Sequence, residues 1–322
     1  MALTNFFLIF CLLPSLEALV YGGNSVEEHN TIQSMIFGAC TNIEDQPSCL
    51  SNLDAELGKM ASRDHNSVLS AAIQATLDKA REAIDMMTKF NTYSTSFREQ
   101  IAIEDCKELL DFSVSELAWS LGEMKKIRAG DNNIHYGGNL KAWLSAALSN
   151  QDTCLEGFEG TDRRMEGFIR GSLTQVTQLI ANVLSMYSEL HSLPFKPSRN
   201  NTKTIGNSDF PKWITDGDKE TLHAHRKGLH VDAVVALDGS GHHRSIAEAV
   251  YAAPSYSNRR YIIYIKKGIY KENIDLKKKK TNIMFIGDGI GATIVTGNRN
   301  RMQGWTTFRT PTVVGLKFLL EP

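Results

Sequence analysis

The chain has 322 residues, 42% of them hydrophobic, which is enough to build cores for two ordinary domains. Its formal net charge is −1, so no global field directs it to nucleic acid or to a polyanionic surface. The charge is uneven, however: acids concentrate in the first two hundred positions, while Lys266, Lys267, Lys271 and the run Lys277 to Lys280 lie near the end.

The first element is the apolar run NFFLIFCLLPSLEALV, interrupted by Pro14 and Glu17 and short for a membrane span. It predicts a secretory signal peptide over residues 1–20, cleaved shortly after Leu19. The positively charged leader is missing, which keeps a signal anchor as the alternative. Secretion sets the reading of the cysteines. Cys11 falls inside the signal, and Cys40, Cys49, Cys106 and Cys154 remain, an even number suited to two disulfides. None has the Cys-x-x-Cys spacing of a zinc knuckle, so no metal site is expected. Asn200-Asn201-Thr202 is a glycosylation sequon and fits the same compartment.

From Thr31 to Leu190 the periodicity is helical. Ile103, Cys106, Leu109, Leu110, Val114, Leu117, Ala118 and Leu121 recur at three- and four-residue steps. The stretches Val68 to Phe90 and Met165 to Leu190 behave likewise, with polar breaks around Gly130 to Gly138 and Gly157 to Asp162. The pattern predicts an all-α antiparallel four-helix bundle over 27–190, preceded by a helical hairpin carrying Cys40 and Cys49. Spacing leaves the pairing of the four cysteines open, and locality favours Cys40 with Cys49 and Cys106 with Cys154.

Residues 191–230, with Pro194, Pro197 and Pro211 in a polar tract, predict an exposed linker. Arg226-Lys227 within it reads as solvated linker charge rather than a processing site. After Val231 the period becomes two. VDAVVAL, RRYIIYIKK and TNIMFIGD predict short strands, with one helix over Ser245 to Ala253 ended by Pro254. Many short strands with glycine corners fit a sandwich, a barrel or a solenoid.

Two long stretches carry a family resemblance. AIEDCKELLDFSVSELAWSL (Ala102 to Leu121) and WLSAALSNQDTCLEGFE (Trp143 to Glu159) resemble the cysteine helices of the pectinesterase and invertase inhibitor domain. That resemblance implies the bridges Cys40–Cys49 and Cys106–Cys154, and a pectinesterase or invertase as a partner of the bundle. The segments DGSG (Asp238 to Gly241), SIAEAV, YIKKGIYKENI, KKKKTNIMFIGDGIGATIVTGN and GWTTF resemble the plant pectinesterase catalytic domain. They imply the start of a right-handed parallel β-helix over 231–322, incomplete in this chain. The implied activity is demethylesterification of methylesterified homogalacturonan (pectin) with release of methanol, in the cell wall or apoplast, without cofactor or metal. The family's catalytic aspartates lie in motifs downstream of its TTF segment. The expectation is therefore that these 322 residues lack them and are inactive by themselves. The alternative is a binding protein that blocks a pectinesterase or invertase through its bundle.

Individual residues follow from these readings. Thr307 matches the second threonine of the family's TTF segment, which implies a substrate contact; a strand threonine facing solvent is the plain alternative. Gln151-Asp152-Thr153 spells part of a family catalytic motif but sits beside Cys154, where a structural helix role is expected. Asp238 and Asp288, each followed by glycine, read as turn residues. His242-His243 reads as a surface turn. Lys277 to Lys280 could attract the carboxylates of demethylated pectin, although an exposed turn between strands is the preferred reading. Lys219 to Leu222 stands where the family's processing signal would fall, in altered form, and RTPTVVGLKFLLEP after Phe308 departs from the family pattern. A truncated solenoid exposes strand edges, so residues 228–322 are expected to be poorly stable alone.

Overall fold

Local capping explains where the helices of the first part begin. The computed structural model describes residues 30–90, 96–128, 134–190 and 230–315. Helix α1 covers residues 30–39. Helix α2 (Gln46–Leu57) starts at Asp45, whose side chain accepts the Ser48 amide at 3.1 Å, with Pro47 in its first turn. Helix α3 (His65–Phe90) starts after Asp64, which accepts the Ser67 amide at 2.7 Å. Helix α4 (Phe97–Arg128) carries a reciprocal cap in which Ser96 Oγ and the Glu99 carboxylate each accept the other residue's amide at 3.2 Å. Helix α5 spans Ile134–Gly157, and α6 (Arg163–Leu190) begins after Asp162, which accepts the Arg164 amide at 2.8 Å. Each such cap satisfies amides that have no partner within the helix.

The buried faces follow the sequence period in the main, but Ala118 of the expected stripe is exposed and Val114 and Leu121 are half-buried. Leu69, Ile73, Leu77, Ala80 and Met87 of α3, Ile103, Leu110, Leu117 and Met124 of α4, Leu140, Leu144 and Ala147 of α5, and Ile169, Leu173, Val176, Ile180 and Val183 of α6 form the core. Cys40 and Cys49 are bridged across the α1–α2 turn with Cα atoms 5.8 Å apart, and Cys106 and Cys154 join α4 to α5 at 4.5 Å. Asn182 of α6 donates to the carbonyls of Ala39 and Thr41 at 3.0 and 2.9 Å, closing the end of α1 that its own hydrogen bonds leave open. The sequence break expected at Gly130 to Gly138 is shorter than its composition suggests, since α5 already includes Gly137 and Gly138. Two glycines weaken a helix without forbidding one, and packing of the following turns outweighs their cost of about 1 kcal/mol each.

The second part is built from parallel strands. They are β1 (Ala233–Val235), β2 (Tyr261–Ile265), β3 (Gly268–Lys271), β4 (Ile274–Asp275), β5 (Ile283–Gly287), β6 (Thr293–Thr296) and β7 (Val313–Val314). Helix α7 (Ile246–Ala252) lies between β1 and β2. Among the described residues every strand pairing is parallel: β1-β2-β5 form one sheet, β3-β6 a second and β4-β7 a third. The chain visits the three sheets in turn through β2, β3 and β4, then again through β5, β6 and β7, placing Tyr261 beside Ile283, Gly268 beside Thr293 and Ile274 beside Val313. Exclusively parallel pairing removes the hairpin-built sandwich and the up-and-down barrel that strand periodicity had left open.

Ala233, Val235, Ile246, Ala249, Val250, Ile263, Ile265, Tyr270 and Ile274 form the interior of this part. The Tyr270 hydroxyl donates to the Lys266 carbonyl at 2.9 Å, so the ring is buried without stranding its polar tip.

Candidate functional site

The segments that carried the resemblance form three polar clusters in the β-strand part. In the DGSG turn, Asp238 Oδ1 accepts the Ser240 amide at 2.9 Å and the Ser240 hydroxyl at 2.6 Å, while Gly239 takes φ +82°. Those two bonds, with Lys266 nearby, hold the Asp238 carboxyl below its usual range. Lys266 Nζ donates to Ser240 Oγ at 2.8 Å, fixing the turn onto the end of β2. Gly241 has no room for a side chain, because a Cβ there would stand 2.6 Å from the Val234 carbonyl.

Asp288 does more than form a turn. One oxygen accepts the Tyr264 hydroxyl in a short bond, the other accepts the Lys267 amide at 2.6 Å, and its own amide donates to Thr293 Oγ1 at 2.9 Å. It thus locks the β2–β3 corner to the β5–β6 corner.

The third cluster surrounds Thr307. Thr306 is buried and Thr307 exposed, at the start of a 3-10 turn spanning Thr307–Arg309. Arg309, 8% exposed at its side chain, donates to Asp275 Oδ2 at 2.6 Å, and Lys277 Nζ stands 3.1 Å from the same oxygen. Thr307 is therefore on a helical turn rather than the strand of the plain alternative. An ion pair between buried Arg309 and half-buried Asp275 holds that turn, and so fixes the position of the exposed Thr307 two residues before Arg309.

The described β-strand residues contain six carboxylates, and each holds the fold. Asp232 accepts from Arg259 and the Ile262 amide, and Glu248 accepts the Arg244 and Ser245 amides. Glu272 accepts the Ile246 and Ala247 amides. Asp238, Asp275 and Asp288 are engaged as above. Their partners are backbone amides, a serine, a tyrosine, two arginines and Lys277. Sequence reading missed Arg309, Asp275, Asp232 and Glu272, whose partners lie 25 to 34 positions away in the chain, and no local motif marks them.

The remaining candidates fall elsewhere. Gln151 is buried in α5 and donates to Ser113 Oγ at 3.0 Å, beside Asn150, which reaches Glu116 at 3.0 Å; Asp152 is exposed. His242 is exposed, and its Nδ1 accepts the Val234 amide at 3.1 Å, so the dipeptide closes a backbone turn. Lys280 is not a loose turn lysine: its ammonium donates to the Tyr251 and Ala253 carbonyls at 2.7 and 2.5 Å, at the end of α7. Burial and the neighbouring Lys279 lower its pKa. The signal segment, Asn200, Lys219 to Leu222 and Arg226-Lys227 lie outside the described residues.

Comparison with known proteins assigns both parts. Residues 34–186 match the plant invertase/pectin methylesterase inhibitor family, and residues 232–321 match the pectinesterase family. An Arabidopsis thaliana protein, provisionally designated pectinesterase/pectinesterase inhibitor 22, is 51% identical over 297 residues, covering 89% of this chain and 54% of its own. The pectinesterase/pectinesterase inhibitor PPE8B of Prunus persica is 43% identical over 244 residues, covering 76% of this chain and 44% of its own. Among solved structures, a pectin methylesterase from carrot is 52% identical over 26% of this chain and 27% of its own, with TM-score 0.26. A pectin methylesterase inhibitor from Arabidopsis thaliana is 18% identical over 49% of this chain and 96% of its own, with TM-score 0.34.

The chain thus carries an inhibitor-family domain ahead of a pectinesterase-family domain. It spans about half the length of the curated relatives it matches.

Proposed function

We propose that this protein serves the demethylesterification of pectin in the plant cell wall, with residues 231–322 as opening coils of a right-handed parallel β-helix and residues 27–190 as an inhibitor-like bundle. The observation that carries this reading is the presence of both family matches, in that order, in one chain. The two circuits of parallel strands support it, because stacked coils need this register. Thr307 is the residue we assign to substrate contact, as an exposed hydroxyl on a turn anchored by Arg309. Secretion to the apoplast accords with the disulfides. Among the described residues no helix is long and apolar enough to cross a membrane.

On this reading the described β-strand residues contribute pectin binding, while their six carboxylates serve the fold. The second reading, inhibition of a pectinesterase or invertase by the bundle, is favoured by the inhibitor-family match over residues 34–186 and by the two bridges. The test is retention of the purified protein on highly methylesterified pectin, with methanol release measured in the presence and absence of an added active pectinesterase. Retention without methanol supports the first reading, and Thr307→Ala should weaken it. Suppression of the added enzyme in proportion to dose supports the second. Methanol from the protein by itself would overturn the binding role, and absence of both retention and suppression would remove both readings.

A further inference from the structure

Two loops of the β-strand part are stapled together and present aromatic and basic side chains outward. The first runs from the end of α7 to β2 and carries Tyr251, Tyr256, Arg259 and Arg260; the second runs from β4 to β5 and carries Lys277 to Lys280. The staples are short. The Tyr256 amide donates to the Lys279 carbonyl at 2.7 Å, Thr281 Oγ1 and Asn282 Nδ2 both donate to the Ser257 carbonyl at 3.1 and 2.8 Å, and Lys280 reaches back to Tyr251 and Ala253.

On this rigid frame Tyr251 is 86% exposed and Tyr256 73% exposed. Neither ring contributes to the core, so folding gains little from them. Tyr256 also takes φ +54°, a left-handed conformation that costs a non-glycine residue about 1 kcal/mol. Lys280 Nζ lies 5.9 Å from the Tyr251 ring, and Lys277 and Lys279 are exposed beside them. The two loops, residues 251–260 and 276–282, hold six Lys and Arg and no acid, in a chain whose net charge is −1. Arg259 and Lys277 have acidic neighbours in Asp232 and Asp275, and these two loops still form the most basic stretch of the sequence.

We propose that this surface is a docking site for an acidic polysaccharide: a polyuronate whose bare ring faces stack on Tyr251 and Tyr256 while its carboxylates meet Lys279 and its neighbours. Charge complementarity selects an anion, and the two exposed phenol rings select one that also offers apolar faces. The ligand differs from the methyl ester considered above, because its charge exists only where the uronate is free acid. The surface would therefore hold the protein on pectin that has already lost its methyl groups. The inference extends the pectin reading, yet it can fail separately, since it concerns no residue assigned to ester contact or to inhibition.

The experiment is binding of the full chain to polygalacturonate oligomers of defined length, with fully methylesterified oligomers and poly(U) RNA as comparison probes. Binding should be measured at ionic strengths of about 0.02 M and about 0.5 M, between which screening suppresses exposed charge pairs. The expected result is preference for polygalacturonate over both comparison probes, with loss of binding at the higher salt. Lys279→Glu and Tyr251→Ala should each weaken it about fivefold or more. Tyr256→Asn is the discriminating variant: asparagine tolerates the left-handed backbone, so the protein should keep or gain stability while losing affinity. No binding at low salt, equal binding to poly(U), or full affinity in the tyrosine variants would overturn the proposal.

Discussion

Asp232 faces Arg259 at 2.6 Å while its second oxygen accepts the Ile262 amide at 2.8 Å, so one nearly buried carboxylate fastens the start of β1 to the start of β2. Burial by itself would raise its pKa, but the Arg259 and Ile262 bonds outweigh that and leave the group below the usual carboxylate value. A lowered folded-state pKa means stability that is present above the unfolded value of about 3.9 and lost as pH falls through the folded one. Asp232→Asn should cost the β-strand part about 2 kcal/mol at neutral pH and flatten its stability profile on the acid side. Urea unfolding followed between about pH 6 and pH 3 checks this. An unchanged acid limb in the variant would assign the pH dependence to other groups.

Glu272 terminates α7 from a distance. Its two oxygens accept the Ile246 and Ala247 amides at 3.0 and 2.9 Å, while Ser245 and Glu248 complete a reciprocal cap on the same turn. With seven residues, α7 has too few internal bonds to persist unaided. Glu272→Ala should lower stability by about 1–2 kcal/mol, and Glu272→Gln, which keeps one acceptor, by about half as much. The midpoint of the β-strand part's denaturant transition reads the order. Equal losses in the two variants would mean that charge, not hydrogen bonding, carries the effect.

The sequence made the bundle legible because α3, α4 and α6 are long enough to repeat their apolar period several times; Ile103, Leu110, Leu117 and their counterparts were identifiable and are buried. The strands were less legible. The cores of β1, β2 and β5 fell within the runs read as strands, but β3, β4, β6 and β7 have two to four residues each, too few to show a period. Asp238 could be read as a turn residue, since Gly239 and Ser240 are adjacent. Asp288 could not be fully read, because its partners Tyr264 and Lys267 lie more than twenty positions away. The resemblance, not periodicity, brought Thr307 to notice, and the Arg309–Asp275 anchor behind it has no local signature.

Two glycines should respond to alanine in opposite directions. At Gly241 an added Cβ would stand 2.6 Å from the Val234 carbonyl and 3.0 Å from the Ala236 nitrogen, both rigid backbone atoms. Gly241→Ala must push β1 and the DGSG turn apart, at a cost of about 1–3 kcal/mol. Gly171 lies exposed within α6 with nothing within 4 Å of its added Cβ. Gly171→Ala should stabilise the bundle by about 0.5–1 kcal/mol. Thermal melts of both variants suffice, and a stable Gly241→Ala protein would show that the turn is not packed as described.

The two disulfides should contribute unequally to the helical part. Cys40–Cys49 closes a separation of 9 residues and Cys106–Cys154 one of 48. If a bridge acts by restricting the unfolded chain, the first is worth about 2.5 kcal/mol and the second about 4 kcal/mol. Replacing Cys106 and Cys154 together by alanine should therefore lower stability more than replacing Cys40 and Cys49 together. The second pair is also completely buried on α4 and α5, so its loss adds a packing defect that the α1–α2 turn avoids in part. Removing the shorter bridge leaves α1 held by Asn182, which still donates to Ala39 and Thr41. Chemical denaturation of the two double variants decides the order. Should the Cys40/Cys49 variant be the weaker one, the hairpin contributes more through its native contacts than through loop closure.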